Sequence, residues 1–129
     1  MKTSLWQLTV QDSFAAAHAL RHYQGKCEAL HGHNFGVEVC VEGQKLEEPV
    51  QIVLDFGLLK QELKAVLKEL DHKHLNEIPA FQSQNPSSEN LARFIFQNLQ
   101  PKLAPYAVRL VYVSVAESPK QSAKYMEIL

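Results

Sequence analysis

The chain has 129 residues, 46% of them hydrophobic and 21% charged, the makeup of one globular domain spanning 1–129 rather than of a disordered segment. A formal net charge of -1 and the lack of any basic run exclude a nucleic-acid footprint. No apolar stretch reaches membrane length, Met1 to Trp6 does not lead into a signal-peptide core, and two cysteines without a secretory signal argue against a disulfide framework, so the expected location is the cytosol.

Trp6, Leu8, Val10, Phe14, Ala16 and His18 share one parity, against Leu5, Gln7, Thr9, Gln11 and Ser13 on the other. Strand side chains alternate with a period of two, so this reads as a long strand with one buried face, bent near Asp12. A polar loop from Arg21 to Leu30 follows and carries Cys27. His31, His33, Phe35, Val37, Val39 and Val41 then form a second same-face series, with Glu38, Cys40 and Glu42 opposite. Gly43 to Pro49 is a polar turn and Val50 to Leu54 a short apolar run. Asp55 is a natural N-cap for the helical stripe Leu59, Leu63, Val66, Leu67 and Leu70. That helix runs out into Leu70 to Asn76, with Pro79 as its stop. Ser87 or Ser88 caps a second helix bearing Leu91, Phe94, Ile95 and Leu99, which Pro101 terminates. Val111, Val113 and Val115 lead a further strand to Glu117, and Tyr125 to Leu129 supplies a final hairpin strand. The order ββααββ predicts an α+β fold with two helices packed on one face of an antiparallel sheet.

Pairing the first two strands antiparallel with Leu8 opposite Val41 brings His18 opposite His31 without a change of register, provided no bulge intervenes. His18, His31 and His33 then converge at one end of the sheet. Three neutral imidazoles suit zinc and leave its fourth position open, as in catalytic sites. Iron(II) also accepts nitrogen ligands, but no carboxylate stands beside the pair in sequence. The plain alternative is that these histidines merely end their strands. Cys27, near the cation, is read as a thiolate base; as a fourth ligand it would make the site structural instead. Cys40, mid-strand on the other parity, reads as a buried thiol, and His22 and His74 as surface or loop residues.

Asp71-His72 follows a helix end. Adjacent side chains diverge on a regular helix, but in a turn they can hydrogen-bond and fix the imidazole tautomer, giving with Cys27 a carboxylate–imidazole–thiol relay. A helix-terminal histidine favoured by the dipole is the simpler reading of the same pair. Glu117 ends an otherwise apolar strand, which suggests that it lines a pocket.

These residues together form a family signature. The chain resembles, from end to end, the 6-pyruvoyltetrahydropterin synthase family, also called the 6-carboxytetrahydropterin synthase family. The resemblance rests on Phe14-Ala15-Ala16-Ala17-His18, Cys27-x-x-x-His31-Gly32-His33, Val53-Leu54-Asp55-Phe56 with Leu59-Lys60, Leu70-Asp71-His72 with Leu75-Asn76, Pro86-Ser87-Ser88-Glu89-Asn90-Leu91-Ala92, and Glu117 with Tyr125 behind it. It implies zinc on His18, His31 and His33, Cys27 as catalytic base completed by Asp71 and His72, and Glu117 as the anchor of a pterin substrate. It also implies the tunnelling fold, in which subunits form rings with active sites between neighbours, here a homo-hexamer built from two trimers. The apolar residues Val111 and Val113, or their opposite-parity neighbours, are expected to need such cover on the helix-free face.

The three-residue spacer between Cys27 and His31 is similar to that of the bacterial queuosine-pathway members. These convert 7,8-dihydroneopterin triphosphate to 6-carboxy-5,6,7,8-tetrahydropterin with loss of triphosphate and acetaldehyde. Members that make 6-pyruvoyltetrahydropterin commonly carry a longer spacer, and a folate-pathway variant places glutamate near the cysteine, a possibility that Glu28 keeps open. A zinc- or pterin-binding module without catalysis is the reading from a different class.

Overall fold

The computed structural model describes residues 1–25 and 28–128. Strand β1 (Trp6–His18) and strand β2 (His31–Gly43) pair antiparallel along their whole length, from Trp6 opposite Gly43 to His18 opposite His31, with no register shift. The expected pairing of Leu8 with Val41 holds, and the bend anticipated near Asp12 does not interrupt the ladder. Helix α1 (Phe56–Leu67) follows, then a two-residue strand β3 (Lys73–His74), helix α2 (Ser88–Leu103), strand β4 (Arg109–Ser118) and strand β5 (Gln121–Tyr125). The sheet order is β3-β1-β2-β4-β5.

Strand β3 departs from the expected ββααββ order. It pairs parallel to β1, Lys73 with Ala16 and His74 with Ala17, while the other ladders are antiparallel. The preceding helix supplies the crossover that a parallel pair requires. The first helix also ends earlier than its apolar stripe. Lys68 is its C-cap, and Leu70 stays fully buried in the turn beyond. The last strand, by contrast, starts earlier than expected, at Gln121 instead of Tyr125.

Capping follows the sequence. Asp55 Oδ1 accepts from the Gly57 amide at 2.6 Å, and Ser87 Oγ accepts from the Asn90 amide at 3.2 Å, each satisfying a donor that a helix start leaves without a partner. Pro101 does not terminate α2; it sits inside the last turn, which continues far enough to bury Leu103. So near the end of a helix, a proline removes one backbone bond without breaking the helix.

Both helices pack on the sheet face formed by Val10, Phe14, Phe35, Val37 and Val39, and with them close one core. On β4 the anticipated stripe Val111, Val113, Val115 is interrupted. Cys40 pairs with Tyr112 but Val41 with Leu110, so Val111 is the extra residue of a bulge. The bulge turns Leu110 inward beside the fully buried Val113 and Val115. The helix-free face is therefore not the apolar surface expected from the sequence. It carries polar cross-strand pairs, Gln7 with Glu42 and Gln11 with Glu38, together with Arg109 on Glu42 at 2.9 Å and the Tyr112 hydroxyl donating to Glu38. Cys40 is buried as expected.

Two outcomes follow from this packing. Leu59→Ala, in the fully buried stripe of α1, is expected to lower unfolding free energy by about 2–5 kcal/mol, and Asp55→Ala by about 1 kcal/mol, both read by urea denaturation. The Tyr112 hydrogen bond holds the Glu38 carboxyl below its ordinary value and pushes the Tyr112 phenol up to about 12. A carboxyl depressed in the folded state stabilises above its unfolded pKa and ceases to do so as pH falls through the folded value. Tyr112→Phe is thus expected to raise the Glu38 pKa in an NMR titration and to flatten the loss of stability on the acid side; an unmoved Glu38 titration contradicts this account.

Candidate metal centre and active site

At the end of the β1–β2 ladder the three expected histidines meet. His18, His31 and His33 each offer one ring nitrogen, and these atoms lie within 4.8 Å of one another. Ring centroids are 4.6 Å apart for His18–His31, 4.8 Å for His31–His33 and 5.4 Å for His18–His33, all edge-on. Phe35, one step further along the same face and fully buried, packs edge-on against His18 and His33 and stacks on Phe14 at 4.9 Å, making an apolar floor.

The hydrogen bonds sort the nitrogens. His18 Nδ1 is 2.7 Å from the Pro86 carbonyl and His31 Nδ1 is 2.8 Å from the Ala29 carbonyl. A carbonyl can only accept, so both Nδ1 atoms carry the proton and both Nε2 atoms keep a lone pair. His18 Nε2 and His33 Nε2 are buried without any hydrogen-bond partner. Buried polar atoms are rarely left so, and converging orphaned imidazole nitrogens are what a metal ion would satisfy. Burial pushes the His18 pKa down and the neighbouring His31 and His33 add to this, against the opposing pull of the Pro86 carbonyl and Glu117. The neutral ring, the form that ligates, is therefore favoured.

Glu117 joins the group from β4. Its carboxylate lies 3.6 Å from His33 Nε2 and 4.0 Å from His18 Nε2, and accepts from the Ser88 hydroxyl at 3.3 Å. A second bulge explains its placement: Ala116 pairs with Ser122 but Ser118 with Gln121, so Glu117 has no cross-strand partner on β5. The carboxylate missing beside the histidines in sequence is thus supplied across the sheet. Three imidazoles with a carboxylate at hand form a donor set that both zinc and iron(II) accept.

Asp71 and His72 pair as anticipated for a turn, His72 Nδ1 lying 2.9 Å from Asp71 Oδ2. Asp71 Oδ1 accepts from the Ala15 amide at 2.9 Å, and the His72 amide donates to the Ala15 carbonyl, so the dyad grips the edge of β1. The Ala15 amide, with His72 behind it, holds the Asp71 carboxyl below its ordinary value. His72 adopts φ 60 and its side chain is 82% exposed. A left-handed non-glycine residue is strained by roughly 1–2 kcal/mol, and such strain clusters at functional positions. Among the described residues, neither Asp71 nor His72 has a hydrogen bond or ion pair to the three converging imidazoles. Cys27, the expected base, lies outside the described residues. His22 is an exposed loop residue, and His74 pairs with Glu77 at 3.3 Å.

Asn85, Pro86 and Ser88 contribute to the site without a role in it assigned to them from the sequence. The carbonyl of Pro86 orients His18, and Ser88 donates to Glu117. The signal was the Asn-Pro dipeptide immediately before a helix cap, a turn-initiating pattern that fixes backbone direction.

The sequence profile of the family described as 6-pyruvoyl tetrahydropterin synthase matches residues 7–128. A 6-carboxy-5,6,7,8-tetrahydropterin synthase of Synechocystis is 37% identical over 125 residues, covering 94% of this chain and 93% of its own. A dihydroneopterin monophosphate aldolase of Pyrococcus furiosus is 42% identical over 105 residues, covering 81% and 83%, and a 6-pyruvoyl tetrahydrobiopterin synthase of Drosophila melanogaster is 33% identical over 132 residues, covering 92% and 77%. The structure of Caenorhabditis elegans 6-pyruvoyl tetrahydropterin synthase superposes with a TM-score of 0.85 at 28% identity, covering 99% of each chain. The α+β architecture is accordingly the tunnelling fold, and the chain belongs to the 6-pyruvoyl tetrahydropterin synthase family.

Proposed function

We propose that the chain is a zinc-dependent 6-carboxy-5,6,7,8-tetrahydropterin synthase of queuosine biosynthesis, acting on 7,8-dihydroneopterin triphosphate with loss of triphosphate and acetaldehyde. The observation that carries this reading is the trio of converging imidazole nitrogens, two of them orphaned, with the Glu117 carboxylate beside them. The Synechocystis relative and the short spacer between Cys27 and His31 favour the 6-carboxy product.

His18, His31 and His33 hold the cation through one ring nitrogen each. Zinc bound there supplies a Lewis acid for the hydroxyls of the dihydropterin side chain and makes the neighbouring protons easier to remove. Glu117 accepts two parallel hydrogen bonds from the amino and ring N–H edge of the pterin, and the Ser88 hydroxyl steadies one of its oxygens. Cys27 removes a proton from the side chain, and His72, its tautomer set by Asp71, moves a proton on the other face. The Asp71–His72 dyad stands exposed on the β1 edge without a bond to the three imidazoles, which supports an active site completed between neighbouring copies; the family resemblance makes the assembly a hexamer of two trimers.

The relatives named for 6-pyruvoyl and aldolase activities give the competing readings. Incubation with 7,8-dihydroneopterin triphosphate and mass spectrometry separates them. Acetaldehyde release with a 6-carboxy product is expected; a retained three-carbon side chain identifies the 6-pyruvoyl product instead. Cys27→Ala is expected to keep the metal content and lose turnover, and surviving turnover removes the thiol from the mechanism. Chelation is expected to stop turnover while leaving the chain folded, since the helices and sheet close a large apolar core of their own; unfolding on metal removal points to a structural zinc.

A further inference from the structure

His18 is the last residue of β1, and its Nδ1 partner, the Pro86 carbonyl, lies 68 positions away. Beyond His18 no strand ladder holds these two segments together. Asparagine side chains do so instead, beside the Arg21 guanidinium on the Phe81 and Gln84 carbonyls. Asn76 Oδ1 accepts from the Ala19 amide and Asn76 Nδ2 donates to the Ala19 carbonyl, both at 2.9 Å. Asn85 repeats the arrangement two residues on, Oδ1 accepting from the Arg21 amide and Nδ2 donating to the Arg21 carbonyl, again at 2.9 Å each. A primary amide offers a donor and an acceptor side by side, so each asparagine stands in for the peptide group of a missing neighbouring strand.

Asn85 is also covalently joined to Pro86. Its own carbonyl accepts from Asn90 Nδ2 at 2.8 Å, which pins the peptide plane from the helix side. The proline ring then fixes φ of residue 86, and the Ser87 cap fixes the start of α2. Little freedom is left in the direction of the Pro86 carbonyl. That direction matters for the imidazole it meets. A free neutral imidazole side chain prefers its proton on Nε2, the nitrogen that here faces the other two rings; the Pro86 carbonyl draws the proton to Nδ1.

We propose that Asn85 is a positioning residue of the metal centre: by clasping both backbone groups of Arg21 it seats the Pro86 carbonyl against His18 Nδ1, and so keeps the His18 Nε2 lone pair free for a cation. This rests on the metal-centre reading above, but the tautomer it specifies exists in the metal-free chain as well. Neither aspartate nor alanine can replace Asn85, since aspartate cannot donate to the Arg21 carbonyl and alanine makes neither bond.

The test uses the full-length chain stripped of metal. Long-range proton–nitrogen NMR reads the His18 tautomer, and competition with a chromophoric chelator reads zinc affinity. In the native chain His18 is expected as the Nδ1–H tautomer. Asn85→Ala is expected to populate Nε2–H and to weaken zinc binding by about 10- to 100-fold. Leu59→Ala, which destabilises through the core alone, is expected to leave both readouts unchanged in the folded chain. Native tautomer and native affinity in Asn85→Ala overturn the proposal, as does a comparable loss in Leu59→Ala. If Asn85→Ala does not fold, Asn90→Ala, which frees the Asn85 carbonyl together with the Arg93 guanidinium, decides against Arg93→Ala, which loses the Arg93 bonds alone: a smaller change in the same direction in Asn90→Ala only supports the proposal, and no change, or the same change in both, overturns it. A native chain that binds no zinc removes the metal-centre reading, while the tautomer comparison still judges the coupling of Asn85 to His18.

Discussion

The structure depends first on the unbroken antiparallel register between β1 and β2. Thirteen residues of each strand pair without a bulge, and the chemistry lies at the last rung. Slipping either strand by one residue would send its histidines to the helix-free face and its polar residues into the core. The register is secured by what it buries. Val10, Phe14 and Ala16 on one strand and Phe35, Val37, Val39 and Val41 on the other face the helices together, so the hydrophobic ladder and the histidine cluster are fixed by the same alternation. The convergence of the three imidazoles thus comes from core packing rather than from a separately folded loop.

A histidine cluster with this origin has a particular electrostatic character. Its apolar floor, Phe35 on Phe14, disfavours a charged His18 and leaves the ring neutral even beside an acidic group. Glu117 then provides the only carboxylate within reach of two orphaned nitrogens among the described residues. The fold delivers it by a bulge at the rim of the sheet, where an unpaired residue can be re-aimed without disturbing the ladder behind it.

Side-chain periodicity made much of this legible in the sequence. The alternation in residues 6–18 and 31–41 gave the strands, their pairing and the meeting of His18 with His31 and His33. Asp55 and Ser87 marked helix starts because their side chains satisfy amides that every helix leaves free. Features that depend on a single extra residue or a distant partner were not legible. The bulge at Val111 took one residue out of the expected inward stripe of β4, and the bulge at Glu117 set a carboxylate, anticipated only as a pocket liner, beside the histidines. Strand β3 is two residues long, too short for any period to show. The polar character of the helix-free face was, by contrast, open to reading on β1 and β2, where Gln7, Gln11, Glu38 and Glu42 all oppose the apolar series.

The site stands where the sheet runs out, and this position explains how its rings are oriented. Within a ladder, backbone carbonyls are committed to neighbouring strands. Just outside the final rung the Ala29 carbonyl is free to hold the His31 Nδ1 atom, and the Pro86 carbonyl, from the loop before α2, holds that of His18. The freed backbone of Ala19 and Arg21 would otherwise fray, but the amides of Asn76 and Asn85 complete its hydrogen bonding. Arg21 in turn donates to the Phe81 carbonyl at 2.7 Å and to the Gln84 carbonyl at 3.2 Å, tying the loop before α2 to the end of β1. Side-chain amides thus extend the order of the sheet past the point where strand pairing ceases, and the imidazole nitrogens are aimed by that extension.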